Sequence, residues 1–417
     1  MSGFTRSHQT DPRFTINRID LKVNVDLQQL KEDGFIILRE VIPPDQLEGL
    51  RKDFETLVDR QREIWARDRE PGDPPGGAWE TDPQPRLRGW QNLIDETTAG
   101  TMEFCLHENT RGVSRQLMQA EEASNTGIFM MCNPVRDHGP AKWHRDIHPI
   151  DEGPLRGLQI DLLENAPGYL QWNIPLYDDD VLWVIPGSHR RSNTDEENRQ
   201  LDEDPCVPLP NGLQVELKAG DGVVYTNTIL HWGSNYSTKL RRTIHLGYRS
   251  FGGPVFPYVP GFVRDLGFTR YLSESGRRLY DRLAAFYAEE CDTITSLLRA
   301  ILDKDVEPFQ DALSRLHPAE PARIVCLILL SKLVYKLRFG SHPKQRNYLR
   351  DWSQHEVIGP RFSRDEIDTL WQRFSTLDAK LRSDEEQHVP GFQSGPMEYV
   401  YQDLPEDFGV EKFIASW

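Results

Sequence analysis

A sandwich or barrel of short antiparallel β-strands, entered through a helix, a strand and a second helix and followed by a helical stretch, is the fold class that the sequence predicts. Three observations carry this expectation. From about Gly127 to Ser250, short apolar segments alternate with Gly, Pro, Asn and Asp, which is the pattern of an all-antiparallel core. Before them, a pair of prolines opens an apolar stretch of helical spacing. After Gly267 the apolar residues again recur every three or four positions.

The elements follow in order. Met1 to Asn24 is polar and has no apolar core of the kind a secretory leader needs, so no leader is expected. Asp26 to Leu38 ends in Gly34-Phe-Ile-Ile-Leu38, a run of strand length. Pro43 and Pro44 then precede Leu47, Leu50, Phe54, Leu57, Val58 and Ile64, a helical stripe, and proline suits a helix's first turn. Ala66 to Gly89 is dense in Pro, Gly and charge and is expected to be a long loop.

Strands are expected at Gly127–Cys132, Leu170–Leu176, Val181–Ile185, Gly222–Tyr225 and Arg241–Tyr248, with Asn193 to Asn211 an acidic, solvated excursion. Leu279, Leu283, Phe286, Ile294, Leu297, Leu298 and Ile301 form an apolar stripe, and Ser363 with Glu366 reads as a capping box opening a later helix. The apolar run Ile324 to Leu337 is interrupted by Ser331, Lys332 and Lys336, too short and too charged to cross a bilayer. These features divide the chain into a β-rich domain, 1–268, and a helical extension, 269–417, expected to pack on it. From about Pro390 the sequence is aromatic-rich and predicts no element.

Composition narrows the function. Of 417 residues, 38% are hydrophobic and 27% charged, ordinary for a soluble globular protein although the mean hydropathy of -0.60 leans polar. A net charge of -16 argues against a nucleic-acid partner, whose phosphates need a basic face. Cys105, Cys132, Cys206, Cys291 and Cys326 are odd in number and contain no CxxC pair, so a reducing, cytoplasmic compartment is expected.

One constellation bears chemistry. His144 and Asp146 are two apart, so in an extended strand both face the same way. One imidazole and one carboxylate are two of the three ligands that hold iron(II) with positions left open. A downstream histidine must complete the set. His189 lies in the turn Pro186-Gly-Ser-His189, where backbone hydrogen bonding is the plainer role. His245, on a later strand, suits a supporting or substrate-facing role, and His231, where a strand leaves the core, is the best third ligand. Arg241 and Thr243 share a strand face beyond it and together suit the distal carboxylate of a dicarboxylic co-substrate, although both arginines, Arg241 and Arg242, also read as surface charge.

These residues resemble the phytanoyl-CoA dioxygenase-like family of iron(II)/2-oxoglutarate oxygenases. The likeness runs in order through Asp33-Gly-Phe-Ile-Ile-Leu38 and the proline-led helix, Trp143-His-Arg-Asp146, Trp172-Asn-Ile-Pro-Leu176, Leu182-Trp-Val-Ile-Pro-Gly-Ser-His189, Gly220-Asp221, and His231 to Arg241. The resemblance implies a double-stranded β-helix (jelly roll), a mainly β core flanked by N-terminal helices and the C-terminal helical extension. It further implies Fe(II) on His144, Asp146 and His231, 2-oxoglutarate as co-substrate on Arg241, and hydroxylation of a small molecule with dioxygen, releasing succinate and carbon dioxide. The loop after His231 is one residue short of the family's spacing, so Arg242 competes with Arg241 when counted from the histidine, whereas counting from Asn235 selects Arg241. The extension has no counterpart in the family's compact members.

Two other classes stay open: a non-oxidative metal enzyme of the cupin kind, and a non-catalytic jelly-roll binding protein. The carboxylate ligand argues for hydroxylation over halogenation, where a small residue makes room for halide. Specificity is expected in Ala66–Gly89, Asp151–Pro167 and Asn193–Asn211. Arg136, Lys142, Arg145, His148 and Arg156 cluster near the first ligands and suit either an anionic substrate or a solvated face.

Overall fold

Helix Leu27–Asp33 starts at Asp26, whose carboxylate accepts the Gln29 amide at 3.0 Å, and stops at Gly34 with φ 85°. Only glycine fits that stop, since a Cβ there would sit 2.5 Å from the His189 ring. The computed structural model describes residues 25–417 apart from 235–236, 259, 345–348, 350–351, 406 and 408. The leader reading of Met1–Asn24 and the count from Asn235 lie outside the described residues.

Beyond Gly34, strand β1 (Phe35–Leu38) leads to helix Pro44–Arg67, which has proline in its first turn and buries Leu50, Phe54, Leu57 and Val58 on one face. The remaining strands are β2 (Arg86–Arg88), β3 (Glu122–Cys132), β4 (Tyr169–Pro175), β5 (Leu182–Val184), β6 (Leu213–Gln214), β7 (Gly222–Tyr225), β8 (His231–Gly233), β9 (Arg242–Phe251), β10 (Arg382–Gln387) and β11 (Met397–Tyr399). Three expected loops carry regular structure. Ala66–Gly89 contains helix Ala78–Thr81 and β2, Asp151–Pro167 contains helix Leu155–Asn165, and Asn193–Asn211 contains helix Asp195–Glu203. Strand β2 is a sheet edge with Leu87 as its one buried residue, so it had no apolar run to read. Helix Asp195–Glu203 opens on a Thr194/Glu197 capping box and buries Leu201, so it is not merely a solvated excursion.

The fold is mixed α/β with antiparallel sheets. The large sheet runs β1-β7-β4-β9-β3-β2 and the small one β6-β5-β8. Register sorts the side chains of the large sheet into two faces. Arg86, Met131, Thr243 and Pro175 form one row and Phe129, His245, Asn173 and Val223 the next, with Gln171 and Tyr225 opposite each other beyond. The alternate residues, Leu87, Met130, Ile244, Leu246, Trp172, Ile174 and Val224, take the other face and are buried against helices. There the Trp172 indole donates to Ser114 Oγ at 2.9 Å and the Tyr248 hydroxyl to the Cys105 carbonyl at 2.6 Å. The first face meets the small sheet through a cluster of Phe35, Val223, Tyr225, Leu182 and Val184.

Helices Glu274–Asp303, Val306–Leu316, Arg323–Phe339 and Arg364–Leu381 make the C-terminal layer. Ile324 to Lys336 is buried on every side, which makes Arg323–Phe339 the centre of that layer. Ser363 and Glu366 form the expected capping box. One buried cluster contains Ile244 and Leu246 of β9 together with Leu297, Leu298 and Ile328, and Arg249 of β9 pairs with Glu290. Among the described residues no helix is long and apolar enough to cross a membrane.

Candidate metal centre

The small sheet continues past β8 onto residue 144. His144 and His231 exchange both backbone hydrogen bonds, each at 2.9 Å, as an antiparallel pair that sets the two imidazoles side by side with ring centres 4.3 Å apart. Two residues on, the Asp146 amide donates to the Asn227 carbonyl at 3.0 Å, and its side chain returns to the same side of the pleat. His144 Nε2 is 3.5 Å from Asp146 Oδ1, and His231 Nε2 is 3.5 Å from Oδ2. One ligand atom from each residue lies within 4.8 Å of the others, so the three could hold one metal ion.

The surroundings orient these groups. His144 Nδ1 is 2.7 Å from the Lys142 carbonyl and His231 Nδ1 is 3.0 Å from the Ile229 carbonyl. A carbonyl only accepts, so each Nδ1 carries a proton and each Nε2 is the nitrogen turned toward Asp146. Burial, aided by the neighbouring His144, pushes the His231 imidazole down to about 4. Burial also works against the Asp146 carboxylate, but the adjacent histidines and the Gln171 amide, which donates at 2.7 Å, outweigh it and hold it well below the usual carboxylate range. Neutral imidazole and ionised carboxylate are the forms in which these side chains bind a divalent cation.

A cleft of about 530 Å³ opens over the three residues, lined also by Arg86, Met131, Asn173, His245, Arg241 and Gln393. Arg241 and Thr243 converge, as their two-residue spacing implies, on the carboxylate of Asp179. Arg241 Nε donates to Asp179 Oδ2 at 2.7 Å and the Thr243 hydroxyl donates to the same oxygen. Burial disfavours the charged Asp179, but the Arg241 cation and Thr243 overcome it and lower its pKa. Arg242 turns the other way and pairs with Glu55 of helix Pro44–Arg67 at 2.9 Å. His245 stacks on Phe129 and shares a 2.7 Å hydrogen bond with Asn173, and burial pushes it down to about 3. His189 stays out of the cluster, its Nε2 donating to the Lys31 carbonyl at 3.0 Å.

Residues 30–244 match the phytanoyl-CoA dioxygenase (PhyH) family, more than half of the 417-residue chain. The chain belongs to the PhyH family. Among solved structures it is similar to AviO1 from Streptomyces viridochromogenes Tue57, at 18% identity and TM-score 0.39 over 55% of this chain and 95% of that one. It is similar to the non-heme alpha ketoglutarate dependent carbocyclase SnoK from nogalamycin biosynthesis, at 18% identity and TM-score 0.39 over 61% and 92%. A third is HygX from Streptomyces hygroscopicus with nickel and 2-oxoglutarate bound, at 14% identity and TM-score 0.37 over 54% and 85%.

Gln171, Asp179 and Gln393 of this PhyH chain stand at the site without belonging to a motif in the sequence. Gln171 could have been found, because it lies two before Asn173 on a strand whose alternate residues are apolar. Asp179 stands between two more aspartates in what reads as a turn. Gln393 comes from the C-terminal stretch and reaches the cleft by long-range pairing alone. Arg145, grouped with the surface cations, is fully buried and donates to the Ser188 and Thr228 carbonyls at 2.9 and 2.6 Å. It is neither substrate-facing nor solvated, because it alternates with the two ligands and its side chain leaves the strand on the opposite side.

Proposed function

We propose that this PhyH-family chain is an Fe(II)- and 2-oxoglutarate-dependent oxygenase that hydroxylates a small-molecule metabolite and releases succinate and carbon dioxide. In this reading the two antiparallel sheets are a double-stranded β-helix within residues 1–268, and 269–417 is a helical extension packed on it. One observation carries the reading: two Nε2 atoms and a carboxylate converge in a cleft that also holds Arg241. Two imidazoles and one carboxylate suit Fe(II) with open positions, which would supply dioxygen activation beside a chelated 2-oxo acid.

The chain's own work is positioning. The Lys142 and Ile229 carbonyls fix both imidazole tautomers, and Gln171 restrains the carboxylate. Arg241 gives its Nε to Asp179 and one terminal nitrogen to the weak acceptor Met131 Sδ at 3.7 Å, and turns its other terminal nitrogen to the distal carboxylate of 2-oxoglutarate, with Thr243 steadying the pair through Asp179. Asp146 keeps a carboxylate where a halogenase has room for halide, which favours hydroxylation.

A second reading, a non-oxidative metal enzyme of the cupin kind, is favoured by Asp179, which already neutralises Arg241 without any co-substrate. Incubation with Fe(II), 2-oxoglutarate and dioxygen separates the two. The oxygenase forms succinate, and Asp146→Ala abolishes it. A protein that binds Fe(II) yet leaves 2-oxoglutarate intact across a metabolite panel is the cupin-like enzyme instead.

A further inference from the structure

The strand that carries His144 and Asp146 is an edge of the small sheet. His144 uses its backbone on β8, and Arg145, the next residue, points its N–H and C=O the opposite way. An edge strand with one free side is the least constrained part of a sheet. Here that side is occupied from almost 250 residues away: the Arg145 amide donates to the Gly391 carbonyl at 2.7 Å, and the Gln393 amide donates to the Arg145 carbonyl at 3.0 Å. Phe392 thereby pairs with Arg145 as a parallel bridge.

The contact is built on every side. Ser394 Oγ donates to the Ile147 carbonyl at 2.8 Å and accepts from His148 Nδ1 at 2.9 Å. The Arg145 guanidinium donates to Asn193 Oδ1, and Asn193 Nδ2 donates to the Pro390 carbonyl, both at 2.7 Å. Gly391, at φ 78°, fits where a Cβ would stand 3.0 Å from Leu230, the residue before His231. Gln393 then reaches the cleft beside the ligands.

We infer that the segment Pro390–Ser394 is part of the metal centre, a parallel strand that holds the His144–Asp146 strand in ligand geometry. The helical extension is on this account a component of the site, delivering its last wall after folding over the sheets. Residues that hold ligands in place commonly govern metal affinity by about 10- to 100-fold when removed. The inference rests on the metal-site reading above, and its test separates the two.

Co(II) titration of the full chain, followed by the visible cobalt spectrum and by thermal melting, decides it. Gln393→Pro deletes the amide that donates to Arg145, whereas Gln393→Ala keeps it. Gln393→Pro should weaken Co(II) binding about tenfold or more beyond Gln393→Ala, which reports the share of the cleft-lining side chain, and should alter the cobalt spectrum. Should Gln393→Pro fail to melt cooperatively, Ser394→Ala, which cuts the Ile147 and His148 tethers, should weaken Co(II) severalfold. Wild-type affinity and spectrum in the folded variant that breaks the contact overturn the inference while leaving the metal site standing. An equal loss in Gln393→Ala overturns it as well, by assigning the effect to the side chain. A wild-type chain that binds no Co(II) removes the metal-site reading itself, and this inference with it.

Discussion

Arg241 and Arg242 are neighbours that do opposite jobs, and a pleated strand is the reason. Arg241 lines the cleft and Arg242 is held away from it by Glu55, so the residue count from His231 alone selects the arginine that does not line the cleft. Arg241→Met should raise the 2-oxoglutarate requirement by roughly 30-fold to several-thousand-fold, on the order of 2–5 kcal/mol, while Arg242→Met changes it little. The same single change strands the buried Asp179 carboxylate, costing about 3–5 kcal/mol of stability. Arg241→Met combined with Asp179→Asn should therefore recover most of the melting temperature and none of the co-substrate affinity. A double variant that binds 2-oxoglutarate normally would remove Arg241 from the site. Among the histidines, His231→Ala should lose Fe(II) and His189→Ala should keep it, as metal analysis of the purified variants can read. The pairing of His144 with Asp146 was legible because strand alternation is a local rule. Asp179 was not, because its partner lies 62 positions away.

Elements were legible where their signal was their own. Helix Pro44–Arg67 displays its apolar stripe and the capping box at Ser363 its two reciprocal bonds, but β2 borrows its order from β3 and helix Leu155–Asn165 has no side-chain cap to mark its start. That helix is tied to the C-terminal layer by a buried pair, His317 Nε2 to Asp161 Oδ2 at 3.0 Å, with His317 Nδ1 on the Leu316 carbonyl at 2.9 Å. Both nitrogens face acceptors, which only the protonated ring satisfies. Burial works against that charge, and the Asp161 carboxylate outweighs it and lifts His317 to about 10. A pKa raised on folding gives stability that is complete below the unfolded value near 6.5 and is lost as pH climbs toward 10. The melting temperature should thus fall across that window, and Asp161→Asn should flatten the fall while lowering stability at pH 6. An unchanged slope in Asp161→Asn would show that the pair does not titrate as described.

At the scale of the whole molecule, the outer face of the large sheet and the C-terminal helices share one buried cluster. The order of motifs from Asp33 to Arg241 made the β-rich core legible, and the stripe from Leu279 to Ile301 showed that something must cover it. That the last stretch returns to the metal strand was beyond reading, since parallel pairing across almost 250 residues leaves no local pattern. Truncation at Gly267 would uncover Phe251, which stacks on Phe286 of helix Glu274–Asp303, and should give aggregating protein; a soluble, active fragment would make the extension an independent domain. The central claim, that the His144, Asp146 and His231 cluster is the iron site of a 2-oxoglutarate oxygenase, is tested most directly by one measurement. Succinate released from 2-oxoglutarate is followed in wild type and Asp146→Ala against Fe(II) bound per chain. The expected result is one Fe(II) per wild-type chain with iron-dependent succinate release, both lost in Asp146→Ala. Bound iron without succinate, or succinate release that survives in Asp146→Ala, would contradict it.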